Sequence, residues 1–335
     1  MKIACVIESL VTFGGTQLQC IRVAEHLMKQ GHQVQIITTS FERRYGHNIE
    51  DGLNVTTVKI GSEDRMSEFA GKITDLVQDN EWLIVFDWDV YRIKNYLPSK
   101  QVCWICNDPP YSKDFSGTTG IGGQVWFRFS RIYGIWKEMR FIKKLNCILV
   151  LDNKNKEFLR RKYGVESTVV RSGIDGPREE NPEEKNLSLE ELSGRYHLVK
   201  RRYILTIGIA YRHRNFEVLI KAMRNIRDGL GVLIVAPCLH DKRYVADLKN
   251  LAAGDERIQI EDKFISEEEK QVLLANALCF VFPNKNQTWG LAPLEALMHG
   301  TIPIISHECG VAEVLKNNEH ALHFQLHSKR YSTIL

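Results

Sequence analysis

Short apolar runs rich in β-branched residues alternate with helical patterns along almost the whole chain. In the first half, Lys2–Ile7, Gln33–Thr39, Asn54–Ile60, Trp82–Phe86, Gln101–Cys106, Cys147–Leu151 and Ser167–Val170 have the length and composition of strands. Between them, apolar spacing predicts helices over Gln17–Lys29, Ser67–Asp79, Val125–Leu145 and Lys154–Lys162. In the first of these, Leu18, Ile21, Ala24, Leu27 and Met28 recur at helical intervals. Residues 176–200 break the rhythm. Gly176-Pro177 opens a polar stretch with Glu179, Glu180, Glu183, Glu184, Glu190 and Glu191, which reads as a linker plus a surface insertion. The alternation then restarts with strands at Tyr203–Gly208, Gly231–Ala236, Ile258–Glu261, Cys279–Phe282 and Ile302–Ile305. The pattern predicts an α/β protein of two Rossmann-like, doubly wound parallel-sheet domains, at 1–175 and 201–335, joined by 176–200. Such sheets bind ligands at the carboxyl ends of their strands, and two that face each other enclose a cleft.

Composition sets outer bounds. A length of 335 residues suits two domains of roughly 150. Hydrophobic residues at 44% and charged residues at 26% exclude a largely disordered chain. No apolar run approaches the ~18 residues of a membrane-spanning helix. Met1–Glu8 reads as a first strand, too short and too soon charged for a signal peptide. The eight cysteines are scattered through apolar runs, which points to a reducing, cytoplasmic setting. Cys103-Trp104-Ile105-Cys106 lies inside a strand and lacks the second pair that a zinc ribbon needs, so it reads as core.

Charge adds one local feature. Residues 1–175 carry 24 Lys/Arg against 20 Asp/Glu, and the rest of the chain 21 against 21. Most of the excess lies in Arg128, Arg131, Lys137, Arg140, Lys143 and Lys144, too local for a nucleic-acid binder. Within 126–144 these cations interleave with Trp126, Phe127, Phe129, Tyr133 and Trp136. As a helix the segment is a candidate for peripheral contact with an anionic membrane surface; a domain helix with a solvated basic face is the alternative.

Three loops carry candidate chemistry. In the first βα turn, Gly14-Gly15-Thr16 frees the backbone to approach an anion at a helix start, or simply makes a turn. The third glycine of a nicotinamide fingerprint is missing. Arg212, His213 and Arg214 follow the first strand of the second half, where guanidinium groups suit a diphosphate; a solvated basic loop is the alternative. The richest stretch, Pro283 to Leu297, follows an apolar strand and opens a helix. With Pro293 at its first position, Ala292 is the expected cap, a poor one, leaving amides near Gly290 and Leu291 for a phosphate. Gln287 and Glu295 could converge on one ligand, or Glu295 could merely complement the helix dipole. Asp87-Trp88-Asp89 is the one local match to a metal-binding Asp-x-Asp, and a solvated loop is its expected role.

In this order and these places, the segments resemble the family-4 retaining glycosyltransferases of GT-B fold. Phe13-Gly14-Gly15-Thr16-Gln17 with Gly31-His32-Gln33-Val34 resembles the family's N-terminal loop and second strand entry. Val169-Val170-Arg171-Ser172-Gly173-Ile174-Asp175 is similar to the segment closing its first domain. Gln287 to Ala296 resembles the "E-x7-E" signature, followed by a similar His299-Gly300-Thr301-Ile302-Pro303 and Gly310-Val311-Ala312-Glu313-Val314.

The resemblance implies a nucleotide-diphosphate sugar as co-substrate, a glycan or lipid-linked glycan acceptor, and no metal or other cofactor. By position, Glu295 would hold the ribose, and Thr288, Trp289, Gly290 and Leu291 would line the donor loop. Arg214, with Arg212, would face the diphosphate; Lys263 and Phe264 would meet the base through backbone groups. Gly14, Gly15 and Thr16 would face diphosphate and acceptor, and Asn107 and Asp108 the transferred sugar.

Four departures stand out. Gln287 replaces the first glutamate, Ile209 the usual arginine after the glycine, and Asn107 a common histidine; the sequence also ends at Leu335, soon after the last strand. A GT-B sugar-nucleotide epimerase and a catalytically weak sugar-nucleotide-binding partner subunit are the alternative functions.

Overall fold

The computed structural model describes residues 1–11, 14–42, 52–61, 65–86, 90–107, 136–174, 176, 187–226, 229–239, 241–286 and 288–326. The chain divides into two compact units, Met1–Ser172 and Gly173–Leu335.

The first unit is built on strands β1 (Lys2–Val6), β3 (Gln33–Thr38), β5 (Asn54–Thr57), β6 (Trp82–Val85), β7 (Gln101–Cys106), β8 (Cys147–Val150) and β9 (Thr168–Val169). They form one sheet in the order β5-β3-β1-β6-β7-β8-β9, with every pairing parallel. Two short strands, β2 (Ser9–Leu10) and β4 (Ser40–Phe41), make a separate pair. The run Ile3–Ile7 is apolar at every position because both faces of β1 are covered. Ala4 and Val6 enter one core with Trp104 and Tyr91, while Cys5 and Ile7 enter another with Cys20, Ile21 and Ala24. The last three belong to α1 (Gly15–Lys29), so helical spacing in α1 meets the two-residue period of β1. The remaining helices are α2 (Arg65–Ile73), α3 (136–142) and α4 (Asn153–Tyr163). The α2 helix ends before the expected Asp79, in turns. Of the expected helix Val125–Leu145, the part 126–135 lies outside the described residues. All eight cysteines are thiols, and Cys103 and Cys106 are buried in β7, as core residues.

In the second unit, β10 (Tyr203–Ile207), β11 (Gly231–Val235), β12 (Ile258–Glu261), β13 (Cys279–Phe282), β14 (Ile302–Ser306) and β15 (Leu322–Phe324) form a second parallel sheet, ordered β12-β11-β10-β13-β14-β15. Its helices are α5 (Leu189–Tyr196), α6 (Glu217–Met223), α7 (Lys242–Ala252), α8 (Glu267–Asn276) and α9 (Ala292–Met298). Over 189–196, the α5 helix corrects the reading of 176–200 as linker and surface insertion. Ser188 caps it with Glu191 in a reciprocal capping box, and Leu192 and Tyr196, one turn apart, are buried in the core with Leu273. Four glutamates before and two within the helix hid this two-residue apolar stripe.

Strand order reverses direction beside β1 in one sheet and beside β10 in the other. Crevices of doubly wound sheets open at the carboxyl ends of such strands. The loops after β1, β7, β10 and β13 are at those ends, and they hold most of the candidate residues.

Candidate functional site

In the first unit, Gly14 is the N-cap of α1, and its extended N–H donates to Gln17 Oε1 at 3.1 Å. A Cβ on Gly14 would stand 2.9 Å from that oxygen, so the folded-back Gln17 packs directly over this glycine. Gly15 and Thr16 are the first two helical residues. Asn107, just past β7, donates from Nδ2 to Thr16 Oγ1 at 3.1 Å. Two candidate residues 91 positions apart are thereby brought together. One turn further along α1, Gln19 Nε2 donates to Ser172 Oγ at 2.6 Å, tying in the segment that closes this unit. Asp108, Asp87, Asp89 and Asp175 lie outside the described residues.

In the second unit, Arg212–Arg214 form one 3₁₀ turn after β10, ended by Asn215 in the left-handed region. This turn is joined to the loop after β13. Lys285 N–H donates to the His213 carbonyl at 2.7 Å. Asn284, fully buried, accepts from Arg214 Nη1 at 2.7 Å and donates to the Arg214 carbonyl at 3.3 Å, in the amide orientation that its neighbours dictate. The guanidinium lies against Gly208, where an added Cβ would stand 3.4 Å from Nε, and 6.0 Å from the Phe282 ring centre. The loop then returns past the same ring. Gly290 has φ +117°, and a Cβ there would fall 2.7 Å from Phe282 Cε1. Only glycine fits this position. Thr288 and Trp289 are buried, and the Trp289 carbonyl accepts from Val311 N–H at 3.4 Å. Gln287 lies outside the described residues.

The helix start differs from expectation. Leu291, not Ala292, is the N-cap of α9, because its carbonyl already accepts from Leu294 and Glu295 N–H at 2.9 and 3.0 Å. Pro293 therefore takes the second helical position, still within the turn where no N–H bond is required.

Arg212 takes a different course from Arg214. Its guanidinium pairs with Asp241 (3.2 Å) and Asp247 (3.1 Å) and lies over the Tyr244 ring, so acidic residues at α7 balance its charge. At the base position, the Lys263 amide donates to Glu261 Oε1 at 3.0 Å, which leaves the carbonyls of Lys263 and Phe264 as the backbone groups the resemblance would place against a base. Glu261 is itself held by Arg195 Nη2 (2.5 Å) and the Tyr196 hydroxyl (3.2 Å) of α5. Burial works against the Glu261 carboxylate, yet these donors hold it below the usual carboxylate range. Phe264 beside it is 38% exposed.

Glu295 faces α8. Its Oε1 accepts from Lys270 Nζ at 2.9 Å, and Lys270 also pairs with Glu267 at 2.9 Å. Burial disfavours the Lys270 ammonium, but the two carboxylates outweigh it and raise its pKa. One turn on, burial lowers the His299 pKa, with Glu295 acting against that shift and Lys270 with it.

Three participants escape a sequence reading. Lys270 sits in a Glu-rich helical stretch with no spacing relation to Glu295. Phe282 reads as plain strand core. Asn284 alone carried a signal, a polar residue directly after Pro283 at the end of an apolar strand. Among the described residues, no three His, Cys, Asp or Glu side chains gather as a metal site.

The comparisons accord with this architecture. Residues 190–330 match the family model of the glycosyl transferases group 1. An uncharacterized glycosyltransferase of Methanocaldococcus jannaschii is 23% identical over 317 residues, covering 91% of this chain and 79% of that protein. The solved structure of Anabaena HepE in complex with UDP-glucose superposes with a TM-score of 0.76 at 10% identity, over 96% of this chain and 85% of that one. WaaG, a glycosyltransferase involved in lipopolysaccharide biosynthesis, gives a TM-score of 0.72 at 16% identity, over 96% and 86%. The fold is GT-B. Group 1 glycosyltransferase activity is what the likenesses support.

Proposed function

We propose that the chain is a retaining glycosyltransferase of family 4, moving a sugar from a nucleotide-diphosphate sugar to a hydroxyl of a glycan or lipid-linked acceptor. The observation that carries this reading is Arg214, enclosed by the loops after β10 and β13 through Gly208, Phe282 and Asn284. A guanidinium fixed at the carboxyl end of the switch-point strand suits a departing diphosphate, whose charge it can neutralise without a metal. Anabaena HepE, of the same fold, was solved with UDP-glucose, which favours a nucleotide-sugar donor. Gln287 would contact the transferred sugar as a neutral hydrogen-bonding group. In the first unit, Thr16 and Asn107 offer neutral hydrogen-bonding groups to the sugar or its acceptor, and Asp108 is assigned the same neighbourhood. Catalysis then rests on positioning and charge neutralisation, with the diphosphate itself taking the acceptor proton in a front-face reaction.

A cytoplasmic location at the membrane face belongs to the same proposal. No helix among the described residues is long and apolar enough to cross a membrane. On α3, Trp136 is 48% exposed with the Arg140 guanidinium 4.8 Å from its ring centre. Flotation with anionic liposomes tests this contact, and no binding at low salt would refute it.

The deciding experiment is a thermal-shift screen of UDP-, GDP- and ADP-sugars, followed by donor hydrolysis in EDTA. Stabilisation by one nucleotide series with slow metal-independent hydrolysis is the expected result. Binding without any turnover, with or without glycan acceptors, would favour the inert partner subunit.

A further inference from the structure

We propose that Lys270 is a positioning residue for Glu295: it fixes the carboxylate that the second unit presents to the ribose hydroxyls, an inference that rests on the donor-binding reading above. The two side chains come from different helices, α8 and α9, and meet at 2.9 Å. Both are largely buried, with 20% and 19% of their side chains exposed. The Lys270 ammonium takes only one of the Glu295 oxygens, Oε1. The other, Oε2, accepts no hydrogen bond among the described residues, so one oxygen is anchored while the other is the one the proposal assigns to the ribose.

The anchor sits in the first turn of a capped helix. Ser266 and Glu269 close a reciprocal capping box at the start of α8, immediately before Lys270. Glu267 Oε2 accepts from the same ammonium at 2.9 Å. Lys270 therefore serves two carboxylates, and the pair would repel each other without it. An unheld glutamate samples several rotamers and must lose that freedom when it binds. A glutamate already held by one oxygen meets a ribose with less to lose. Lys270 touches neither substrate nor the reacting atoms in this scheme.

The test is calorimetric binding of UDP, GDP and ADP to the wild-type chain and to Lys270→Met, Lys270→Arg, Glu295→Ala and the Lys270→Met/Glu295→Ala pair. For the nucleotide that wild type binds, Lys270→Met should weaken affinity about five- to thirtyfold, and Lys270→Arg less than about threefold. The double variant should bind no more weakly than Glu295→Ala alone, because both changes remove one interaction. In donor turnover, KM should rise with little change in kcat.

The His299 ring supplies an independent readout. Its charged neighbours are Glu295, Lys270 and Glu267, of which Lys270 depresses its pKa and the two glutamates raise it. An NMR titration should therefore show that pKa rising in Lys270→Met and falling in Glu295→Ala. Unchanged nucleotide affinity in Lys270→Met, with the His299 shift present, would overturn the proposal and leave a purely structural ion pair. Unchanged affinity in Glu295→Ala, or no nucleotide binding by wild type, would instead overturn the donor reading, and this inference with it. Should Lys270→Met fail to fold, Lys270→Gln takes its place with the same expected and refuting results.

Discussion

The loop cluster of the first unit and that of the second are built from different chemistry. Around the start of α1 the contacts are neutral: a glycine amide on Gln17, Asn107 on Thr16, Gln19 on Ser172. Around the ends of β10, β12 and β13 and the helices α5, α8 and α9 beside them they are ionic and aromatic: Arg214 beside Phe282 and Asn284, Lys270 between two carboxylates, Arg195 on Glu261. Neutral donors and acceptors discriminate hydroxyl groups, whereas buried, held charges are worth most against an ionic ligand. The contrast matches the proposed division between a sugar or acceptor side and a diphosphate side. It also assigns the larger mutational effects to the second unit.

The largest effect is expected at Arg214. Replacing it with alanine removes the enclosed cation, and kcat/KM should fall by at least about a hundredfold, as for loss of a group that stabilises developing charge. Arg212→Ala should be milder, because Asp241 and Asp247 already balance that guanidinium. Activity of the wild type should survive EDTA. Strict Mg²⁺ or Mn²⁺ dependence, lost on Asp87→Ala, would break the contrast by moving charge neutralisation to the first unit. Steady-state kinetics on the three variants decides it.

Glu295→Ala comes next. Deleting a charge-assisted hydrogen bond of ~1.5–3 kcal/mol should weaken nucleotide binding roughly tenfold to a hundredfold. Gln287→Ala should act on turnover or sugar choice more than on nucleotide affinity. Calorimetry with the preferred nucleotide separates the two, and equal losses at both positions would blur the assignment of ribose and sugar.

How much of this was legible follows from the kind of signal each residue leaves. Strand and helix alternation gave the two sheets because fully buried parallel strands are apolar throughout, and β1 and β13 are clear instances. The candidate loops were legible where backbone geometry demands a residue type, as Gly290 demands glycine against Phe282. Side-chain pairing across elements left no trace. Nothing in the spacing of Lys270 and Glu295, or of Asn107 and Thr16, announces a contact that depends on sheet order. Arg212 and Arg214 look equivalent in sequence, yet one turns to α7 and the other to Asn284. The α5 helix was hidden for a different reason: its burial rests on two residues amid glutamates.

Gly290→Ala sharpens the comparison through stability rather than chemistry. The added methyl would meet the Phe282 ring at 2.7 Å in a left-handed backbone position. Strain of ~1–3 kcal/mol should lower the melting temperature by about 2–10 °C, with the drop confined to the second unit if the two unfold separately. The mirror change, Gly14→Ala, crowds only the tip of Gln17 at 2.9 Å. A flexible side chain can move aside, so its thermal effect should be smaller. Scanning calorimetry of both variants ranks the two glycines, and an equal cost would show that the first unit's loop is as rigidly packed as the second's.

The smallest effect is expected for Asn107→Ala. Its one described hydrogen bond, to Thr16 at 3.1 Å, is neutral and only part-buried. Loss of such a bond costs ~0.5–1.5 kcal/mol, so turnover should fall about two- to tenfold while nucleotide affinity is unchanged. Thr16→Val should reproduce most of that loss, and the double variant should add little, because the two side chains share one contact. If Asn107→Ala instead weakened nucleotide binding as much as Glu295→Ala does, the neutral cluster would belong to the donor. The distinction between the two loop clusters would then fail at the residue that carries it for the first unit.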